Sequence, residues 1–173
     1  GFSFMRKNLG LDAFIFGGPQ ERGLRAGTEP VHNIIGMQKA LEIAYENFDE
    51  EKEYTLELKK YFINQINNLF PEVHFNGLCQ DLELSTYTIV NVALPLSNSK
   101  SQLIDFHLDL NNIACSKGSA CQSGVSNGSH VLESLKRNDQ VINRPSLRFS
   151  FSSFNTKKEI DYVIKILAEL KEN

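Results

Sequence analysis

Two periods of apolar residues divide this chain. From Pro30 to Glu46, Val31, Ile34, Ile35, Leu41, Ala44 and Tyr45 fall on one helical face, and Pro30 occupies the first turn, where its missing N–H does no harm. The acids Asp49, Glu50 and Glu51 then open a second helix, with Tyr54, Leu58, Tyr61, Phe62, Ile66 and Leu69 on one side, that Pro71 stops. A third is expected over Ser99 to Leu110, presenting Leu103, Phe106, His107 and Leu110, and a short one over Ser129 to Lys136 through Val131, Leu132 and Leu135. Thr156-Lys157-Lys158-Glu159 is a capping box that opens the last helix and turns Ile160, Val163, Ile164, Leu167 and Leu170 to the core.

Between these lie shorter runs with a period of two. Gly1 to Arg6 and Ala13 to Phe16 read as aromatic strands joined by a turn, Val73 to Phe75 as a short strand, and Tyr87 to Leu94 as a β-branched strand closed by Pro95. Ile113 to Cys115 and Ser146 to Phe151 complete the set, the latter with Leu147, Phe149 and Phe151 on one side and Arg148 on the other. The order predicts an α/β sandwich, helices laid on one small sheet. A strand starting at residue 1 is expected to belong to something longer, its apolar face packing on an element outside this sequence.

Composition narrows the class. The 173 residues, 41% of them hydrophobic, are enough for an ordinary globular core. A net charge of -3, from 18 basic and 21 acidic residues without a basic block, gives no electrostatic footprint for nucleic acid or an anionic membrane, so neither partner is expected. Apolar runs far short of a membrane span and the lack of a leader pattern predict a soluble, cytoplasmic chain. Three cysteines fit a reducing compartment. Cys115 and Cys121 are too far apart for a zinc knuckle, and His32, His74, His107 and His130 show no ligand spacing, so no metal site is expected.

Candidate chemistry collects in three places. The stretch from Ile113 to His130 is rich in glycine and serine, with little apolar surface, and reads as a surface loop around Cys121. Exposure, backbone N–H groups and the nearby Lys117 favour the thiolate there, whereas Cys115, closing an apolar run, is expected to face the core. An inert exposed thiol is the alternative for Cys121. Gly17 to Thr28 is a glycine-rich loop in which Arg22, Arg25 and the Thr28 hydroxyl could meet an anion such as a phosphate; it matches neither a P-loop nor a dinucleotide fingerprint. A solvated connection whose Thr28 caps the next helix is the competing reading. Arg148, alone among apolar neighbours in its strand, needs a partner, either a bound carboxylate or a structural salt bridge.

The runs Gly-Gly-Pro-Gln-Glu-Arg-Gly-Leu-Arg-Ala-Gly-Thr at Gly17 to Thr28, Ala-Cys-Ser-Lys-Gly-Ser-Ala-Cys at Ala114 to Cys121 with Ser-His-Val-Leu at Ser129 to Leu132, and Ser-Leu-Arg-Phe-Ser-Phe at Ser146 to Phe151 resemble the C-terminal half of a cysteine desulfurase. The likeness covers essentially the whole chain and points to the long-loop subgroup that serves iron–sulfur cluster assembly, within the class-V aminotransferases. It implies the C-terminal small domain of a fold type I pyridoxal-phosphate enzyme, with a mostly antiparallel sheet covered by helices, plus the last strands of the large domain. The implied divisions are 1–29 for the end of the large cofactor domain, 30–47 for a linking helix and 48–173 for the small domain, with the catalytic-cysteine loop at 116–128.

In that family the cofactor weakens the Cβ–sulfur bond of L-cysteine, a thiolate takes the sulfur as persulfide, and alanine leaves. The resemblance gives the nucleophile's place to Cys121, with a possible transient iron–sulfur contact, the substrate carboxylate to Arg148, and the cofactor phosphate of the neighbouring subunit of a homodimer to Thr28. A scaffold protein is the implied sulfur acceptor. The sequence departs from the pattern in lacking the His-Lys pair that carries the cofactor, so this chain alone is expected to be inactive. Pro19 replaces a usual glycine, and Ser152-Ser153 a usual Gly-Arg. A non-enzymatic relative that binds sulfur-transfer partners and a different aminotransferase-like enzyme of the same fold are the two alternatives.

Overall fold

The computed structural model describes residues 1–7, 9–117, 129–135, 139–142 and 144–171. They form two compact units, Gly1–Phe48 and Asp49–Asn173.

In the first unit the expected aromatic strands do not form. Among the described residues up to Phe16 the only backbone pairing is a parallel bridge from Ile15 to Arg25, with the Ala26 N–H donating to the Ile15 carbonyl at 3.1 Å. A strand needs a neighbouring ladder to satisfy its amides and a surface to cover its apolar side. Here neither is supplied, and Phe2, Phe4, Phe14 and Phe16 are exposed. Glu21–Gly23 makes one 3-10 turn, and α1 covers Val31–Glu46 as its periodicity predicts. Its apolar face is uncovered, however: no residue of α1 is buried.

The second unit holds the core. Its helices are α2 (Phe48–Leu69), α3 (Asn98–Leu110), α4 (His130–Ser134), α5 (Asp139–Ile142) and α6 (Lys157–Glu169). Four strands, β1 (His74–Phe75), β2 (Ile89–Ala93), β3 (Ser116–Lys117) and β4 (Ser146–Ser150), pair antiparallel in the order β1-β2-β4-β3. The expected α/β architecture is present.

Alternation along β4 decides what lies on each side of the sheet. Leu147 and Phe149, with Val90 and Val92 of β2, join Leu58, Phe62 and Ile66 of α2, Ile104 and Leu108 of α3, and Ile160, Ile166 and Leu167 of α6 in one hydrophobic cluster. Phe62 lies 4.8 Å from Phe149 and 5.5 Å from Phe151, ring centre to ring centre, in tilted contacts. The opposite face is polar, with Arg148 and Ser150 exposed. The capping box of α6 forms as expected: Thr156 Oγ1 accepts from the Glu159 N–H at 3.3 Å and the Glu159 carboxylate accepts from the Thr156 N–H at 2.7 Å.

Two expectations fail in the second unit, the buried face of α3 and the start of β3, and α2 holds a feature that no expectation covered. Helix α3 buries Ile104 and Leu108, while Leu103, Phe106 and Leu110 point outward. Both stripes have helical spacing, so periodicity alone cannot say which meets the sheet. In α2 a charged residue is inside: the side chain of Lys59 is fully buried, and its ammonium donates to Ser85 Oγ at 2.7 Å and to the Thr86 carbonyl at 2.8 Å. Those bonds replace the water that burial removes. The strand expected at Ile113 to Cys115 begins later, at Ser116.

Candidate functional site

The polar face of the sheet carries the first group of interest. Register sets Arg148 of β4 opposite Asn91 of β2 and Ser116 of β3, so three polar residues share one row on the side away from the core. Arg148 is exposed, and its Nη2 donates to Ser116 Oγ at 3.2 Å. No carboxylate forms a salt bridge with it among the described residues. Of the two readings open for Arg148, the structural salt bridge has no partner here, and the guanidinium keeps most of its donors free for an anion. Asn91 is held by its neighbour, its Oδ1 accepting from Asn76 Nδ2 at 2.9 Å, and Asn76 also donates to Ser146 Oγ at 3.2 Å.

Strand β3 holds the last described residues before 118–128. Cys121 lies outside the described residues, as does the rest of 118–128. The residues that precede that segment are placed by the core and by α3. Cys115 packs against the hydrophobic cluster, as expected, and burial pushes its thiol up to about 11. It is therefore a poor nucleophile near neutral pH. Lys117 is not the free cation that sequence proximity implied: its Nζ lies 2.8 Å from Asp105 Oδ1 and 3.0 Å from the Ser101 carbonyl, both on α3. Residues 115 and 117 share the core-side parity of β3 and 116 the opposite one, so the lysine reaches the helix and the serine reaches Arg148.

Cys79 is the third thiol. It donates to the Asn91 carbonyl at 3.2 Å, and burial raises its pKa above the usual value. That leaves Cys79 structural, joining the loop after β1 to β2.

The Gly17 to Thr28 loop is folded by its own side chains. Arg25 Nη1 donates to the Gly27 carbonyl at 3.2 Å and the Thr28 carbonyl at 3.3 Å, and Gln20 Oε1 accepts from the Gly27 N–H at 3.2 Å. Gly27, at φ +97°, makes a turn that side-chain-bearing residues rarely adopt. Arg25 thus shapes the loop instead of reaching for an anion. Thr28 does not act as the N-cap of α1, a place Pro30 takes. Its residue is exposed, and its hydroxyl makes no hydrogen bond among the described residues. Within this loop the Thr28 hydroxyl is thus left open to solvent, while Arg25 and Gln20 are engaged with the backbone.

Sequence reasoning passed over Ser116, although alternation after Ile113 and Cys115 was a signal that Ser116 faces the side of Arg148. Among the described residues, no group of three or more His, Cys, Asp or Glu side chains could hold a metal ion, and no helix is long and apolar enough to cross a membrane.

Comparison with known proteins places the chain in a family. A cysteine desulfurase IscS from Dictyoglomus turgidum is 34% identical over 172 residues, covering 99% of this chain and 42% of its own length. One from Cronobacter sakazakii is 38% identical over 162 residues, covering 94% of this chain and 38% of its own. Among solved structures, a NifS-like protein superposes with a TM-score of 0.75 at 28% identity, over 96% of this chain and 40% of that one. The NifS-like protein from Rickettsia africae gives 0.71 at 25%, over 91% and 39%. The chain therefore spans about two fifths of the length of these relatives. Residues 3–163 match the aminotransferase class-V family model, and the chain belongs to that family.

Proposed function

We propose that this chain is the C-terminal part of a pyridoxal-phosphate-dependent cysteine desulfurase, acting in a homodimer in the cytoplasm to supply sulfur for iron–sulfur cluster assembly. The observation that carries the reading is Arg148: an exposed guanidinium with a single hydroxyl partner among the described residues, on the strand beside the one that leads into the Cys121 loop.

Arg148 binds the carboxylate of L-cysteine with two parallel N–H···O bonds and so fixes the orientation of the substrate. The cofactor, when bound, supplies the electron sink that makes the Cβ–sulfur bond breakable. Cys121, as thiolate, attacks the substrate sulfur and keeps it as a persulfide, while the carbon skeleton leaves as L-alanine. Thr28 donates its hydroxyl to the cofactor phosphate of the neighbouring subunit. The glycine- and serine-rich composition of 118–128 suits a segment that carries sulfur on to a scaffold protein. With no His-Lys pair in the chain, the 173 residues alone have no group to carry the cofactor and release no sulfide from L-cysteine.

The test is intact mass and peptide mapping of the full-length protein after incubation with pyridoxal phosphate and L-cysteine. The expected result is one added sulfur on Cys121, removed by reductant and absent from Cys121→Ala. Bound cofactor with no sulfur on Cys121 would sink the proposal.

A further inference from the structure

Recognition of a carboxylate by an arginine needs a guanidinium held in place, because an exposed side chain with so many rotamers loses much of its binding energy to ordering. Arg148 has one side-chain contact that can do this among the described residues, the hydroxyl of Ser116 at 3.2 Å. The serine is itself well anchored. Its strand pairs with β4 in the register Ser116↔Arg148 and Lys117↔Leu147, Lys117 ties it to Asp105 of α3 at 2.8 Å, and Cys115 packs on the core. Asn91, opposite Arg148 on the other side, is bonded to Asn76 and makes no hydrogen bond to Arg148 among the described residues.

We infer that Ser116 is a positioning residue: by accepting one N–H of Arg148 it holds the guanidinium over the polar face of the sheet, ready for bidentate capture of the substrate carboxylate. The inference rests on the proposed role of Arg148 and adds a residue that acts through it. Ser116 does not touch the reacting atoms. Its loss weakens binding of the amino acid and leaves the sulfur-transfer step alone.

The test uses the full-length holoenzyme and the shape-matched pair Ser116→Thr and Ser116→Val, which differ only by the hydroxyl and both suit a strand. Ser116→Val is expected to raise KM for L-cysteine about 3- to 10-fold with kcat within about twofold, the size of one hydrogen bond at an open site, and Ser116→Thr to restore it. Calorimetric binding of L-alanine, which has the carboxylate but no sulfur, should weaken by the same factor. In an Arg148→Ala background, Ser116→Val should have no further effect on either readout. If Arg148→Ala weakens L-alanine binding and Ser116→Val does not, the inference about Ser116 is overturned while the clamp stands. If Arg148→Ala leaves L-alanine binding and KM unchanged, the clamp reading itself has failed. Equal loss of kcat in the Thr and Val variants would also overturn the inference, since it would assign Ser116 to the geometry of the loop that follows.

Discussion

Adjacent residues of β4 should respond to truncation in opposite ways. Phe149 is 6% exposed and its ring centre lies 4.8 Å from that of Phe62, whereas the exposed Arg148 makes one side-chain hydrogen bond, at 3.2 Å. Burial of about 150 Å² of ring surface at ~25 cal/mol per Å² gives about 4 kcal/mol, and the aromatic pair adds about 1 kcal/mol. Partial collapse of the surrounding helices brings the expected cost of Phe149→Ala to about 3–5 kcal/mol. Arg148→Ala removes one hydrogen bond at the surface and should cost about 0.5 kcal/mol. The chain has no tryptophan, so urea unfolding of the 173-residue protein is best followed by far-ultraviolet circular dichroism. In the full-length protein the ranking should reverse under the proposed role of Arg148, loss of a charge-assisted pair in Arg148→Ala being expected to raise KM for L-cysteine by about tenfold or more. A loss above about 2 kcal/mol for Arg148→Ala would make the arginine a structural element and refute its assignment to substrate. A loss below about 1.5 kcal/mol for Phe149→Ala would mean that β4 does not face the core as described.

Two further outcomes concern titration. The folded Cys115 thiol holds its proton up to about 11 against a usual 9, so its contribution to stability is lost as pH rises through that window. At pH near 8 its thiolate fraction is about a hundredfold lower than in the unfolded chain, and iodoacetamide labelling mapped by mass spectrometry should slow accordingly; equal rates with and without urea would contradict its burial. Burial draws the Lys59 ammonium below its usual 10.5, with Cys79 and Asp81 opposing, so the folded state releases this proton before the unfolded state does. The wild type should therefore gain stability relative to Lys59→Met as pH climbs from the folded value toward 10.5, a trend that paired urea titrations would detect or exclude. At neutral pH, Lys59→Met removes the ammonium's hydrogen bonds to Ser85 Oγ and the Thr86 carbonyl and should cost about 1–3 kcal/mol.

Much of this fold could be read from local pattern, where one explanation covered a segment. The capping box at Thr156, the stop at Pro71 and the strict alternation through Leu147, Arg148 and Phe149 each specify their local structure, and each is present. Where two patterns coincide, sequence is mute. Helix α3 carries apolar stripes on two sides, and only packing selects Ile104 and Leu108 over Leu103 and Phe106. Lys59 escaped notice because a lysine on a helix is normally solvated, and its acceptors, Ser85 and Thr86, lie far along the chain. The aromatic runs up to Phe16 show the opposite failure: the alternation is there, but a strand is a relation between segments, and the single bridge from Ile15 to Arg25 is too little to make a ladder. For the candidate site, Arg148 was conspicuous as a charge in an apolar strand, whereas Ser116, whose hydroxyl accepts from it, was one serine among many.

The strand order β1-β2-β4-β3 has a consequence for synthesis and assembly. The strand made last lies between two made earlier, so β2 and β3 have no contact as neighbours until β4 enters, and Ser116 must wait for a partner 32 residues further along. Closing such non-local pairs is slow compared with forming the helices around them. While the chain is growing on a ribosome, the root of the thiol segment has no sheet to join until the sequence past Ser150 is free. A reactive cysteine in that segment would thus be made before the sheet that mounts it, and the arginine proposed to choose its substrate arrives in the step that completes that sheet.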